Sequence, residues 1–164
     1  MILLAAVDRA WGIGREGELL FRIPTDLKRF KALTMGHALL MGRKTFDSLP
    51  GPLPGRACGV LSASRCSIPG VTVLRTKEEA LAWAQGRRAF LIGGAAVYGM
   101  LLDHCDSAYI TKIDTLCVAD AFMPDLDALP QWRLTGEGPW QEDAGLRFRY
   151  CVYARVKAPA AQDT

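Results

Sequence analysis

Histidine is scarce in this chain: only His37 and His104 occur among 164 residues. Two imidazoles are too few for a histidine-based metal centre, so metal catalysis is not expected. Cysteine is present but unorganised. Its five positions (Cys58, Cys66, Cys105, Cys117, Cys151) are odd in number and contain no C-x-x-C pair. That argues against a disulfide scaffold or a zinc site, and for reduced thiols in a cytoplasmic protein. No apolar run is long enough to span a bilayer. Residues 1–7 are apolar but follow no basic region and stop at Asp8 and Arg9, so they read as a strand and not as a signal peptide. A strong charge of one sign is also missing. The net charge is +3 with basic residues scattered along the chain, which suits small anions and argues against nucleic acid and membrane partners. Neither an internal repeat nor a low-complexity linker appears.

Half of the residues are hydrophobic and 23% are charged, as in one domain large enough to bury a core. Short apolar runs predict strands at 2–7, 38–41, 57–61, 71–74, 89–92, 107–113, 133–137 and 148–156. Amphipathic patterns predict helices at 24–34, 43–48, 77–83 and 95–102. Strand–helix alternation up to residue 113 predicts a largely parallel sheet. The last two runs have no helix between them and predict an antiparallel finish. Residues 50–55 form a stiff Pro/Gly loop, and residues 158–164 read as a frayed tail.

Three glycine-bearing turns follow strands. Gly12-Ile13-Gly14-Arg15-Glu16-Gly17 has the letters of a dinucleotide fingerprint, but that motif needs a helix to open directly on its glycines. The next helix starts only at Pro24, so a mobile loop with glycine hinges is the better reading. At Met41-Gly42-Arg43-Lys44-Thr45 a buried strand gives way to a basic helix start. At Ile92-Gly93-Gly94-Ala95-Ala96 paired glycines let a ligand approach the backbone. A solvated basic turn and a plain tight connection are the bland readings of these two. Together they suggest an extended nucleotide lying across strand carboxyl ends.

Asp26 is the acid that stands out. With Pro24 as the first helical residue, Asp26, Phe30 and Leu33 share a helix face, while Lys28 and Arg29 are expected to point elsewhere. A carboxylate on an apolar stripe has a raised pKa and is either costly or useful. It could also simply complement the helix dipole.

In order, these segments resemble dihydrofolate reductase over almost the whole chain. The resemblance rests on Ala5-Ala6-Val7-Asp8, Trp11-Gly12-Ile13-Gly14, Ile23-Pro24-Thr25-Asp26-Leu27 with Phe30-Lys31, and Met41-Gly42-Arg43-Lys44-Thr45-Phe46. It continues through Leu53-Pro54-Gly55-Arg56, Leu61-Ser62, Ile92-Gly93-Gly94 with Val97-Tyr98, Tyr109-Ile110-Thr111-Lys112-Ile113 and Asp120-Ala121-Phe122-Met123-Pro124. It implies a single-domain α/β fold with a central eight-stranded, mostly parallel mixed sheet and about four helices. The reductase domain would cover residues 1–157, with an adenosine-binding subdomain at about 37–86. A monomer using NADPH to reduce dihydrofolate is implied, with antifolates entering the same cleft.

On this resemblance Asp26 takes the family's acid position, hydrogen-bonding the 2-amino group and N3 of the pterin, and Thr111 supports it. Leu4, Ala5, Ile92 and Tyr98 line the pterin end. Leu27, Phe30, Lys31 and Leu49 hold the pterin and aminobenzoyl portions, and Arg56 takes the α-carboxylate of the glutamate tail. For NADPH, Ala6, Ile13, Gly14 and Leu19 match the nicotinamide side. Gly42, Lys44, Thr45, Gly94, Ala95, Ala96 and Val97 match the pyrophosphate side, and Arg43 and Ser62 match positions around the 2′-phosphate, with Leu61, Ala63, Ile92, Gly93 and Tyr98 also in cofactor-binding positions. Residues 14–20 match a flexible loop that Asp120 helps to hold closed.

Three departures stand out. Phe21 replaces a tryptophan whose indole N–H helps hold a water, and a phenyl ring cannot donate that bond. Ala95 replaces a third glycine. Ala63 and Ala96 lack polar groups for the 2′-phosphate, which Ser64 or Arg65 would have to supply. The implied chemistry is hydride transfer to pterin C6 with a proton reaching N5 from water, Asp26 acting by charge and position. The rival on the same fold is the pyrimidine reductase of riboflavin synthesis. From another class comes a non-catalytic folate- or nucleotide-binding module.

Overall fold

The computed structural model describes residues 1–64 and 67–157. Arg65, Cys66 and the expected tail at 158–164 lie outside the described residues. The chain runs β1 (Ile2–Val7), β2 (Gly12–Arg15), β3 (Glu18–Leu19), α1 (Pro24–Thr34), β4 (Ala38–Gly42), α2 (Arg43–Asp47), β5 (Ala57–Leu61) and β6 (Thr72–Leu74). It continues with α3 (Lys77–Ala84), β7 (Ala89–Leu91), α4 (Ala95–Leu101), β8 (Ser107–Ile113), β9 (Ala121–Phe122), β10 (Trp132–Glu137), β11 (Gln141–Asp143) and β12 (Leu146–Arg155). Strands β10-β12-β8-β1-β7-β4-β5-β6 lie side by side in the main sheet, and β11 adds to β12 as its ninth strand. Pairing is parallel from β8 to β6 and antiparallel among β8, β12 and β10. The eight expected strands and four helices are thus all present.

Residue chemistry explains the order. All five residues of β4 are buried, between β5 and β7, which is why Ala-Leu-Leu-Met-Gly reads as a continuous apolar run. Each fully buried leucine there contributes about 1.5–3 kcal/mol. Along β1, successive side chains alternate between faces. Leu3 joins one apolar cluster with Leu40, Leu91 and Tyr98, and Leu4 joins the other with Phe46, Val60 and Phe90. β1 also marks the point where the winding reverses, with β7 on one side and β8 on the other. In such sheets the crevice beyond the strand carboxyl ends at this point is the binding position.

Two features differ from the sequence-based expectation. The segment read as a glycine loop is a small second sheet, ordered β3-β2-β9. Its turn is Glu16-Gly17, with φ of 52° and 79°. Two successive left-handed residues make the tight hairpin turn whose twist matches the strands. Ala144-Gly145, with φ of 51° and 74°, does the same between β11 and β12, a hairpin the sequence reading did not anticipate. The absence of a helix after Gly12–Gly17 removes the dinucleotide-fingerprint reading of that stretch.

Candidate active site

Helix α1 begins without its own side-chain cap: Ile23 stands at the N-cap and Pro24 at the first turn. The cap comes from β11, where the Asp143 carboxylate accepts both the Thr25 N–H at 2.8 Å and the Thr25 hydroxyl at 2.7 Å. The next residue is Asp26. Its Oδ1 accepts a 2.7 Å hydrogen bond from the Thr111 hydroxyl on β8, and Thr111 is only 2% exposed. Burial pushes the Asp26 carboxyl above its ordinary range. The Thr111 hydrogen bond and the positive charge of Arg29 pull partly against that.

The Arg29 position corrects the expectation that it points away. Residues three apart on a helix are neighbours, and the guanidinium carbon of Arg29 lies 3.8 Å from the centroid of the Tyr150 ring. Tyr150 is directly opposite Thr111 in the β12–β8 register. Sequence reasoning turned Arg29 away from the site and passed over Tyr150. The i, i+3 spacing from Asp26 was the available signal for Arg29, whereas Tyr150 needed the strand register.

The expected pterin and benzoyl contacts divide into two groups. Leu4, Phe30, Leu49 and Ile92 come together in one apolar cluster that also contains Phe46 and Tyr109. Leu27 and Lys31 do not join it: Leu27 is 49% exposed and Lys31 is exposed on α1. Phe21 packs with Ile23, Ile113 and Phe148, alongside Ala6 and Tyr150, and Ala6 pairs with Thr111 across β1 and β8. Ala5, next along β1, packs on the opposite cluster. The Tyr98 hydroxyl donates to the Leu4 carbonyl at 2.7 Å. Complete burial holds that phenol far above its ordinary pKa, so it serves as a fixed donor.

Arg56 is anchored at the other end of α1. Its Nε donates to the Pro54 carbonyl, its Nη1 to the Thr34 hydroxyl, and Thr34 in turn donates to the Phe30 carbonyl. Arg56 also borders a cavity of about 490 Å³ with His37, Arg87 and Arg88, where β4 and β5 begin.

The two glycine turns meet where the sequence pattern places a nucleotide: Gly42 N–H donates to the Gly93 carbonyl at 2.8 Å. Space here is tight. A Cβ on Gly42 would lie 2.9 Å from Val97 Cγ2, and one on Gly93 or Gly94 would meet Thr45 Oγ1 at 3.2 or 3.4 Å. Helices α2 and α4 start beside this notch at Arg43 and Ala95, neither with a side-chain cap hydrogen bond. Ala96 and Lys44 are exposed, while Thr45 and Ala95 are half-buried. Arg43 is engaged with Asp47 at 2.9 Å. Leu61 ends β5, and the N–H of the next residue, Ser62, donates to the Leu74 carbonyl. Arg75, unremarked in the sequence, reaches the Ala63 carbonyl with its guanidinium at 3.0 Å.

At the loop, Ile13 packs against the large apolar cluster, Gly14 is buried and Leu19 is 54% exposed. Asp120 meets this hairpin twice: its N–H donates to the Gly14 carbonyl at 3.1 Å, and its carboxylate accepts the Glu16 N–H at 2.9 Å. Asp8 was also missed. At 3% exposure it accepts N–H groups from Ala10, Gly12 and Cys117 at 2.8–3.0 Å, tying the two loops together. An aspartate two residues before an unpaired N–H is a recognisable turn signal.

The chain is similar to known proteins in sequence and in overall fold. The family model described as dihydrofolate reductase matches residues 1–155. The dihydrofolate reductase of Mycobacterium tuberculosis is 39% identical over 152 residues, covering 87% of this chain and 90% of that protein. The dihydrofolate reductase of Bacillus subtilis is 33% identical over 160 residues, covering 95% of each. A solved structure of dihydrofolate reductase from Enterococcus faecalis, complexed with NADP(H) and RAB-propyl, superposes with a TM-score of 0.86 at 33% identity. It covers 95% of this chain and 96% of that one.

Proposed function

The chain belongs to the dihydrofolate reductase family, and from that premise we propose how its residues carry the reaction. That reaction is the NADPH-dependent reduction of 7,8-dihydrofolate to 5,6,7,8-tetrahydrofolate. The observation that carries the assignment is the part-buried Asp26–Thr111 pair beside the apolar cluster of Leu4, Phe30, Leu49 and Ile92. A flat heterocycle with an amino edge fits there: the rings meet apolar walls, and the carboxylate takes two N–H donors. Asp26 Oδ1 is shared with Thr111, leaving Oδ2 turned to substrate. Leu27 supplies apolar surface that a bound ring would cover. Arg56 receives the tail carboxylate at the end of α1, with Lys31 adding charge nearby. Phe21 contributes packing beside the Ile23 cluster but no hydrogen bond.

The donor set fits NADPH. The notch formed by Gly42, Gly93 and Gly94 is tight for a Cβ at Gly42 and Gly93, and uncapped helix starts lie beside it. Backbone N–H groups there suit a pyrophosphate, with Lys44, Thr45, Ala95, Ala96 and Val97 around it. Ala6, Ile13, Gly14 and Leu19 bound the nicotinamide side. Arg43, Leu61, Ser62 and Ala63 bound the adenosine side, and Arg75 adds a guanidinium at Ala63. The Arg43–Asp47 pair is a half-exposed i, i+4 contact worth about 0.3–0.5 kcal/mol, so Arg43 turns readily to a phosphate. When bound, NADPH supplies the hydride that pterin C6 accepts. Asp26 orients the ring and stabilises positive charge on it, and the β2–β3 hairpin, held by Asp120, limits water to the single proton donor that N5 needs.

We further assign residues 1–157 to one reductase domain, with 37–86 as its adenosine-binding part, and place the protein in the cytoplasm, where its unpaired thiols stay reduced. No helix among the described residues is long and apolar enough to cross a membrane. Antifolates are proposed to share the Asp26 cleft. The pyrimidine reductase alternative is not favoured, since the family model and the relatives above are dihydrofolate reductases. The test is loss of NADPH absorbance with dihydrofolate, beside NADH and the riboflavin-pathway substrate. Rapid oxidation only with NADPH and dihydrofolate supports the proposal. Folded protein that binds NADPH but leaves dihydrofolate unreduced overturns it.

A further inference from the structure

Asp26, Thr111, Tyr150 and Arg29 form a closed ring of neighbours drawn from three elements. Thr111 donates to Asp26. Tyr150 faces Thr111 across β12 and β8, so both side chains stand on the same side of the sheet. Arg29 lies over the Tyr150 ring at 3.8 Å and one helical turn from Asp26. The Tyr150 hydroxyl is buried without a hydrogen-bond partner, so what this side chain offers is its ring face. A guanidinium over an aromatic face is held by the negative quadrupole of the ring.

The consequence is a cation parked beside the carboxylate but not upon it. A direct Arg29–Asp26 ion pair would consume the oxygens that the substrate amino edge requires. Stacked on Tyr150, Arg29 acts through space and leaves Oδ2 accessible. The groups facing Asp26 are Arg29 from α1, Thr111 from β8 and Tyr150 from β12. Asp143 of β11 is close enough to act on the Tyr150 phenol, and Lys28 acts on Asp143. Among the described residues, Arg29 is therefore the positive charge acting on the Asp26 carboxyl.

We propose that Arg29, clamped over the Tyr150 ring, is a positioning residue for the reaction: acting through space, it holds Asp26 charged against the pull of burial, without occupying the oxygens that bind substrate. The proposal rests on the reading of Asp26 as the substrate-orienting acid. Without the Arg29 charge, the Asp26 carboxyl of the ligand-free protein would stay protonated to higher pH.

The experiment follows the Asp26 carboxyl by carbon NMR titration in the ligand-free protein, assigned by loss of the signal in Asp26→Asn, and compares it with the pH profile of kcat/KM. Arg29→Met should raise both midpoints. Arg29→Lys should keep most of the native value. Tyr150→Phe retains the ring and should leave the titration unmoved, whereas Tyr150→Leu frees Arg29 and should shift it upward. An unmoved Asp26 titration in folded Arg29→Met, with Asp26→Asn still inactive, overturns the role of Arg29 and leaves the reductase assignment standing. Full turnover in Asp26→Asn overturns both.

Discussion

Thr25 and Asp143 are 118 residues apart, yet the Asp143 carboxylate holds both the N–H and the hydroxyl of Thr25. The start of α1 is therefore fixed by a hairpin from the far end of the chain, one residue before the acid of the candidate site.

That contact gives a pH prediction. The Thr25 hydroxyl and N–H hold the Asp143 carboxyl below its ordinary value. A group whose pKa is depressed on folding adds stability above its unfolded pKa of about 4 and loses it as pH falls through the lower folded value. Asp143→Asn should flatten the stability curve in that acidic window and raise KM for dihydrofolate through a looser α1. Thermal midpoints from pH 7 to pH 3 for both proteins check it, and parallel curves would dismiss the cap.

Asp26 behaves in the opposite sense, because its folded pKa is raised. Folding is then favoured at low pH, and part of that stability is lost as pH rises from the unfolded to the folded value. Asp26→Asn should therefore be more stable than the parent at neutral pH while losing most turnover. Each 1 kcal/mol recovered appears as about 2–4 °C in thermal midpoint. An inactive variant that is also less stable would contradict the balance described for this site.

Gly42→Ala places a methyl 2.9 Å from Val97 Cγ2. Overpacking should cost about 1–3 kcal/mol and weaken NADPH binding more than dihydrofolate binding. Titration of each ligand against protein fluorescence measures the difference. Unchanged NADPH affinity would detach this notch from the cofactor.

Asp8→Ala leaves three N–H groups without their acceptor. The expected cost is about 3 kcal/mol, or about 6–12 °C in thermal midpoint. Faster hydrogen exchange at Gly12 and Cys117 should accompany it, and protection at both sites in the variant would argue against the tie.

Short apolar runs carried most of the fold in the sequence. Strand β4 is buried on every residue, so nothing in Ala38–Gly42 competed with the strand reading. The two missed hairpins turn on Glu16-Gly17 and Ala144-Gly145, where the usual asparagine or aspartate before glycine is absent. Their short strands also lack a pronounced alternation. At the site, Asp26 was legible because a charge on an apolar helix face conflicts with its surroundings. Arg29 was misread because its role depends on Tyr150, and only strand register brings position 150 to position 111. Asp143 was invisible for the same reason: a cap supplied across the chain leaves no local mark.

The central place of β1 has a cost in time. During synthesis this strand is made about 80 residues before β7 and about 100 before β8, its two neighbours in the sheet. At about 5–20 residues per second, the wait for β8 lasts about 5–20 s. Throughout it, Leu3, Leu4 and Val7 have no sheet to enter and both edges of the strand are open to other chains. The speed of synthesis therefore sets how long β1 stays exposed before its neighbours arrive.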